Sequence, residues 1–246
     1  MSRSARASMV AAAAALFAGQ ASADEGPGRR ALVEMFLSQS CKASPPAADL
    51  ARELAAREDL VVLTWHVSYW NAMAGKAGEA WDDPFSREAF DARQRRYNLR
   101  IRHRDRGFTP QAVINGEAIA VGFRREEIDR LIAARKASAA AAISFDAAAQ
   151  QVVVAAGEAG EAFVVTFLER AETPVTGGDN AGRVFVEANI ATGMKRLGAV
   201  DSETATFALP ALDPGEGCAV IVQAPDQGPA LGAAYCPKIL QGREQG

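Results

Sequence analysis

The sequence predicts an α/β protein in two parts: an α/β domain over residues 24–140, followed by a small all-β, sandwich-like domain over residues 141–246. Two observations lead to this division. In the first part, continuous apolar runs typical of buried strands alternate with segments of helical periodicity. In the second part, short strand-like runs are separated by Gly, Pro and Asp, and no segment has the length and periodicity of a long helix.

The elements of the first part follow from apolar spacing and from the residues that begin and end helices and turns. Ser44 suits a helix N-cap, and Pro45 suits the first turn, where a missing N–H costs nothing. In chain order we expect a strand at 31–37, a helix after Pro45, a strand at 60–67, a helix opening at Asp83-Pro84, a strand between Thr109-Pro110 and the Asn115-Gly116 turn, its hairpin partner at 118–121, and a helix at 124–137.

The second part contains six predicted strands, at 143–145, 152–155, 162–168, 184–190, 204–209 and 219–223. The glycine-rich segment 177–183 lies between two of them and could be mistaken for a phosphate-binding loop. It lacks the Gly-Lys-Ser/Thr ending of such loops, and no helix signal follows it directly. We therefore interpret it as a hairpin loop.

Residues 1–23 have the features of a secretory signal. Two arginines precede the apolar run 9–18, which is too short to span a bilayer, and Ala-Ser-Ala at 21–23 fits the small-residue cleavage pattern. The mature chain is thus expected to start near Asp24 and to be periplasmic or secreted. No later run is long and apolar enough to predict a membrane helix.

The charge balance disfavours nucleic acid as a partner. The whole chain has a formal net charge of −3, and the mature chain keeps 25 basic and 30 acidic side chains, a charge of −5. Arginines are nevertheless dense between 93 and 106. This stretch is interpreted either as a solvated helix face, which also holds His103, or as a local attraction for an anionic partner.

The candidate reactive group is Cys41, which lies just before the predicted helix start at Ser44. Unpaired N–H groups and the helix dipole at such a position stabilise a thiolate, the reactive form of cysteine. The spacing is that of a Cys-x-x-Cys redox motif in which the second cysteine is replaced by Ser44.

Thr109-Pro110 supports the same interpretation, because a Thr-Pro pair directly precedes a strand. Thioredoxin-like folds have a cis-proline beside the redox cysteine, and cis bonds are mostly confined to X-Pro. The two segments, in this order, resemble a thioredoxin-like domain. We predict that the Thr109–Pro110 bond is cis and within contact range of Cys41.

Several longer motifs resemble a secreted, thioredoxin-like family known as domain of unknown function 1223. They are Val33–Cys41 with Ser44–Ala47, His66–Trp70, Asp83–Phe85, Ala92–Gln94 with Tyr97, Thr109–Gln111, and Asp179–Arg183. The resemblance implies a thioredoxin-like domain with a β-rich extension, and it implies no established reaction. Many members have a second cysteine at the position of Ser44, and many have a histidine pair near Glu187-Ala188.

A single thiol restricts the chemistry, because Ser44 cannot release a mixed disulfide. Cys41 could attack the disulfide of a protein or small molecule, and an outside thiol would then resolve the product. The alternative is a non-catalytic binding module that has kept the fold. The sequence leaves both open.

His66, Tyr69 and Trp70 are candidate supporting residues, because parallel strands end at the same sheet edge and His66 ends the second strand. An imidazole there could activate the thiol, or it could simply be packed at a strand end. A metal site is a third hypothesis, but one cysteine and one histidine are fewer than the three or four ligands it needs. No cofactor is predicted.

Cys218 and Cys236 are expected to form a disulfide, since two cysteines in one β domain outside the cytoplasm usually pair. The bridge would leave Cys41 as a free thiol, and only a free thiol can react.

Overall fold

The computed structural model describes residues 30–73, 78–135, 140–201 and 203–238. The predicted signal at 1–23 lies outside these residues, and so does the predicted end of the third helix at 137. Among the described residues, no helix is both long and apolar enough to cross a membrane.

Three α-helices and eleven strands form within the described part of the chain. They are β1 (Ala31–Leu37), α1 (Pro45–Ala55), β2 (Leu60–His66), α2 (Glu88–Arg102), β3 (Gln111–Ile114), β4 (Ala118–Val121), α3 (Arg125–Arg135), β5 (Ala141–Asp146), β6 (Gln151–Ala156), β7 (Gly160–Pro174), β8 (Val184–Val200), β9 (Thr204–Ala208), β10 (Glu216–Gln223) and β11 (Ala230–Tyr235).

Eight of these strands form one mixed sheet in the order β11-β10-β7-β8-β2-β1-β3-β4, and β5, β6 and β9 form a small antiparallel sheet. β1 pairs in parallel with β2 and antiparallel with β3. The two halves of the large sheet meet where β2 pairs in parallel with β8. The predicted mixed α/β class is confirmed. Strands from both sides of residue 140 share one sheet, and the domain boundary there stays a prediction.

The alternation of side chains along β1 builds two cores, because successive residues point to opposite faces of a sheet. Val33, Met35 and Leu37 pack with α1 and α3. Leu32 and Phe36 pack on the other face with aromatic residues of α2 and with β7 and β10. α1 and α3 therefore cover one face of β1, and α2 covers the other.

A third core lies between the small sheet and the half of the large sheet that contains β7, β10 and β11. Cys218 in β10 and Cys236 after β11 form a disulfide in this core, as predicted. The main chain supports the bridge, since Cys236 N–H donates to the Cys218 carbonyl at 2.7 Å.

The start of the second helix needs correction, and one strand was missed. In addition, β7 ends at Pro174 and not at 168, and β8 ends at Val200 and not at 190. The second helix begins at Glu88, not at Asp83-Pro84, because the Asp83 carboxylate accepts hydrogen bonds from Gln39 and Phe85 and contacts His66. β11 was missed because Ala230–Tyr235 is rich in Ala and Gly, which have low strand propensity. Small residues are needed there: a Cβ on Gly232 would come 2.7 Å from the Ala141 carbonyl oxygen.

Candidate functional site

The loop between β1 and α1 holds Cys41 in a buried position. Cys41 N–H donates to the Ser38 carbonyl at 3.1 Å, and the Cys41 carbonyl accepts from Ser44 N–H at 2.9 Å. Cys41 is a free cysteine and only 3% exposed. Two turns of the loop thus place its thiol at the start of α1.

Ser44 occupies the N-cap position of α1, and Pro45 lies in the first turn, as the sequence predicted. The Ser44 side chain makes no hydrogen bond to the helix, which corrects the expected cap. Its hydroxyl accepts the Ser38 N–H instead, at 3.2 Å. The Ser44 hydroxyl therefore joins the end of the Cys41 loop to its beginning at Ser38.

Cys41 meets the segment before β3, as predicted. The Thr109–Pro110 bond is cis, and Cys41 Sγ lies 3.7 Å from the Thr109 carbonyl oxygen. Gly122 packs against Pro110 of this segment: a Cβ there would come 2.8 Å from Pro110 Cβ. The absence of a side chain at Gly122 is what allows this close approach.

The two aromatic candidates after β2 differ in position. Tyr69 is 41% exposed, its hydroxyl donates to Gln94 Oε1 at 3.1 Å, and it lies close enough to Cys41 for an electrostatic interaction. Partial burial raises the pKa of Tyr69 above its ordinary value. Trp70 packs instead against the aromatic core beside α2. Of the two, Tyr69 is the one whose electrostatic environment includes Cys41.

His66 lies between two carboxylates, in a cluster that is fully shielded from solvent. Its Nδ1 is 2.7 Å from Asp83 Oδ2, and its Nε2 is 3.2 Å from Glu187 Oε1. Burial disfavours the imidazolium, but Asp83 and Glu187 outweigh this effect and raise the pKa of His66 to about 10. Despite burial, the imidazolium in turn keeps the pKa of Asp83 below its ordinary value. The two carboxylates therefore favour the charged form of His66.

Gln39 connects this cluster to the Cys41 loop. Its N–H donates to Asp83 Oδ2 at 2.9 Å, and its side-chain Nε2 donates to Glu187 Oε2 at 2.7 Å. The remaining acceptor, Gln39 Oε1, takes a hydrogen bond from Trp81 Nε1 at 3.1 Å. Both ring nitrogens of His66 face carboxylates. His66 is therefore connected to the Cys41 loop through Asp83 and Glu187, which accept hydrogen bonds from Gln39.

The loop between β7 and β8 covers the same segment from the C-terminal half. Asn180 is buried, and its Nδ2 donates to the carbonyls of Gln39 and Cys41, each at 2.8 Å. Asp179 N–H reaches the Ser40 carbonyl at 3.3 Å. Segment 177–183 is the predicted hairpin loop: Val175 N–H donates to the Arg183 carbonyl at 2.8 Å.

Asn180, Gln39, Asp83 and Glu187 were not predicted as site residues. Asn180 is 139 residues from Cys41 in sequence, and no local pattern indicates that contact. The only available signal was the family resemblance, whose motifs include Gln39, Asp83 and Asn180 and in which Glu187 stands near the place of a histidine pair. Among the described residues, no group of three or more His, Cys, Asp or Glu side chains is arranged to hold a metal ion.

The comparison with known families agrees with the sequence motifs. The model of the family described as protein of unknown function (DUF1223) matches residues 32–223. The chain belongs to this family. The match runs from β1 to the end of β10 and so includes Cys41, the cis-proline segment, the His66 cluster and Asn180.

A solved structure has the same fold as this DUF1223 protein. It is an X-ray crystal structure of a protein from Agrobacterium tumefaciens, a structural genomics target, with a TM-score of 0.68 and 24% sequence identity. The alignment covers 89% of this chain and 96% of that chain. Among curated proteins, no significant match was found. The comparisons therefore establish the family and the fold.

Proposed function

We propose that this protein is a thioredoxin-like, monothiol disulfide exchanger whose reactive group is Cys41. The fold part of the proposal is supported by the cysteine loop between β1 and α1 and by the cis-proline before β3, the antiparallel neighbour of β1. The observation that carries the function is the free Cys41 thiol, 3.7 Å from the Thr109 carbonyl at a helix start. The other two cysteines are joined to each other.

The reaction is an exchange with no net redox change. The Cys41 thiolate attacks one sulfur of a substrate disulfide, a Cys41–substrate disulfide forms, and the other substrate sulfur leaves as a thiolate. An external thiol then attacks the substrate sulfur of this mixed disulfide, takes over the substrate and returns Cys41 as a thiolate. Ser44 occupies the resolving position and has no sulfur, so the second step needs the outside thiol.

The test uses oxidised glutathione as the substrate. Intact-mass and peptide analysis should show one glutathione per folded chain, attached at Cys41. The adduct should persist after excess reagent is removed and should disappear when a free thiol is added. The Cys41→Ser variant should form none. Failure of the folded wild-type protein to form the adduct would exclude the proposal.

Ser44→Cys is the sharper variant, because the helix start places positions 41 and 44 within bridging distance. The variant should lose the glutathione adduct rapidly and form an internal disulfide. Lys42→Cys, at an exposed position adjacent to the thiol, serves as the control for adding any second cysteine nearby, because neighbouring Cα atoms are about 3.8 Å apart, too close for an ordinary disulfide. If both cysteine variants release glutathione equally fast, the resolving geometry assigned to position 44 is wrong.

A binding module is the second candidate, and the 3% exposure of Cys41 favours it. The side chains of Ser44, Asp83, Glu187 and Asn180 hold the loop around the thiol, and a purely structural site has the same features. The glutathione test separates the two, because a buried structural thiol reacts only when the chain unfolds.

We also propose that the protein works in the periplasm or outside the cell. The Cys218–Cys236 disulfide supports this proposal, since such bridges persist in oxidising compartments. N-terminal sequencing of the mature protein from its native host should give a start near Asp24. A chain that keeps Met1 and is recovered with cytoplasmic proteins would contradict it.

A further inference from the structure

A groove of about 630 Å³ lies on the face of the large sheet that α2 covers, away from the residues that line the thiol site. Helix α2 forms one wall, and strands β2, β7, β8 and β10 contribute most of the other residues. The volume is within the range of small-molecule sites, which are mostly apolar with a few placed polar groups.

The floor of the groove is apolar and aromatic. Phe163 from β7 and Met194 from β8 are only partly buried, and Trp65 and Phe90 lie at the base. Phe163 and Met194 thus leave apolar surface facing the groove that no side chain in the described part of the chain covers completely. A ligand with an apolar body would remove this surface from water.

The walls carry four arginines and one acid, although the chain as a whole is acidic. Arg196 is neutralised by Glu161 at 2.7 Å, and Arg87 donates to main-chain carbonyls of residues 84 and 86. Within the described ranges, Arg96 makes no hydrogen bond or ion pair, and it is exposed at the groove wall. The local charge is therefore opposite in sign to the net charge of the protein.

Arg93 is the fixed polar group at the inner end. It is 7% exposed, which corrects the interpretation of the whole arginine stretch as a solvated face. Its Nε donates to Glu34 at 2.6 Å, and its Nη2 donates to Tyr97 at 2.9 Å and to Gln223 at 3.3 Å. Its Nη1 has no hydrogen-bond partner among the described residues. A buried guanidinium with a free N–H edge is prepared for a carboxylate.

We propose that this groove binds a small amphipathic carboxylate. The carboxylate accepts hydrogen bonds from Arg93 Nη1 and from Arg96, and the apolar chain lies against Phe90, Phe163 and Met194. Arg93 gives orientation because Glu34 and Tyr97 hold it in place, and Arg96 adds the uncompensated charge. The site is independent of the exchange activity proposed for Cys41.

Isothermal titration calorimetry with decanoate, decanol and acetate tests separately the contribution of the arginines and that of the apolar floor. Decanoate should bind at least about tenfold more tightly than decanol, since only decanoate can accept charge-assisted hydrogen bonds. Acetate should give no measurable binding, because it lacks the apolar chain. Equal binding of decanol and decanoate, or no binding of decanoate, would overturn the proposal.

Substitutions in the groove test whether decanoate binds there. Arg96→Gln should weaken decanoate binding about five- to tenfold, as expected for loss of one charged partner. Ala89→Phe, at an exposed groove position, should block the groove without burying a new polar group. Arg130→Gln, an exposed arginine on α3, is the matched control and should bind like wild type. Arg93 is not substituted, because Glu34 would be left unpaired and the chain could fail to fold.

These outcomes separate the groove from the thiol. Cys41→Ser should bind decanoate with unchanged affinity, even though it forms no glutathione adduct. Wild-type affinity in both Arg96→Gln and Ala89→Phe would place decanoate elsewhere and so refute the groove as its site.

Discussion

Single side chains that lie far apart in sequence determine how the Cys41 loop is held. Gln39 donates hydrogen bonds to the carboxylates of Asp83 and Glu187, and Asn180 donates hydrogen bonds to the carbonyls of Gln39 and Cys41. A carbonyl buried without a donor costs about 1–3 kcal/mol, so each of these amides restrains the loop as well as stabilising the fold.

Asn180→Asp removes the donor and keeps the size of the side chain. We expect the free energy of unfolding to fall by more than the about 1–3 kcal/mol of a lost donor, because the buried carboxylate also faces two carbonyl oxygens, and alkylation of Cys41 in the native state should become faster. Urea unfolding and iodoacetamide kinetics measure the two effects.

The matched control is Asn189→Asp. Asn189 also donates to a main-chain carbonyl, that of Val62, and to the Tyr235 hydroxyl, but away from the thiol. It should also lower stability, by less because Asn189 is only half-buried, and it should leave the rate of alkylation unchanged. Equal acceleration in both variants would show that the rate reports global stability and not the Asn180 contacts.

At the scale of secondary-structure elements, the apolar runs predicted β1, β2, β3 and β4 to within one residue of their observed bounds. The start of α2 was misplaced because Asp83-Pro84 has the local signature of a helix start, whereas Asp83 is used in a tertiary contact with His66. The thiol and the cis-proline segment were predictable because their motif is local. Asn180, Gln39 and Glu187 were not, because their role depends on how distant loops meet.

The charged cluster at the end of β2 makes stability depend on pH. With a pKa of about 10 in the folded state and 6.5 as the ordinary value, His66 holds its proton in both states below pH 6.5. Between these values only the folded state is protonated, so the free energy of unfolding should fall as pH rises and the His66 contribution should be lost above about pH 10. Asp83, with a lowered pKa, acts in the opposite direction and loses its contribution on acidification.

Urea unfolding across this pH range checks the prediction. In the variant His66→Gln, Asp83→Asn, Glu187→Gln, which leaves no buried charge in the cluster, the decline should be smaller. His103→Gln removes the exposed histidine and should keep the wild-type decline. An equal decline in the wild type and the triple variant would mean that other groups cause it.

At the scale of the whole molecule, the thiol site is built by both halves of the chain. β8 extends the sheet beside β2, Glu187 in β8 reaches His66, and the loop after β7 supplies Asn180. The sequence separated an α/β part from a β-rich part by their composition. It could not show that the two share one sheet, because a single parallel contact between β2 and β8 leaves no local pattern.

The central claim is that Cys41 is a working thiol within the folded protein. The most direct test is its alkylation rate in increasing urea, measured below the unfolding transition with the Cys218–Cys236 bridge intact. A working thiol should be modified through local opening, at a rate nearly independent of urea and far above that set by the fraction of unfolded chain. A rate that rises with urea in proportion to the globally unfolded population would contradict the claim and make Cys41 a structural residue.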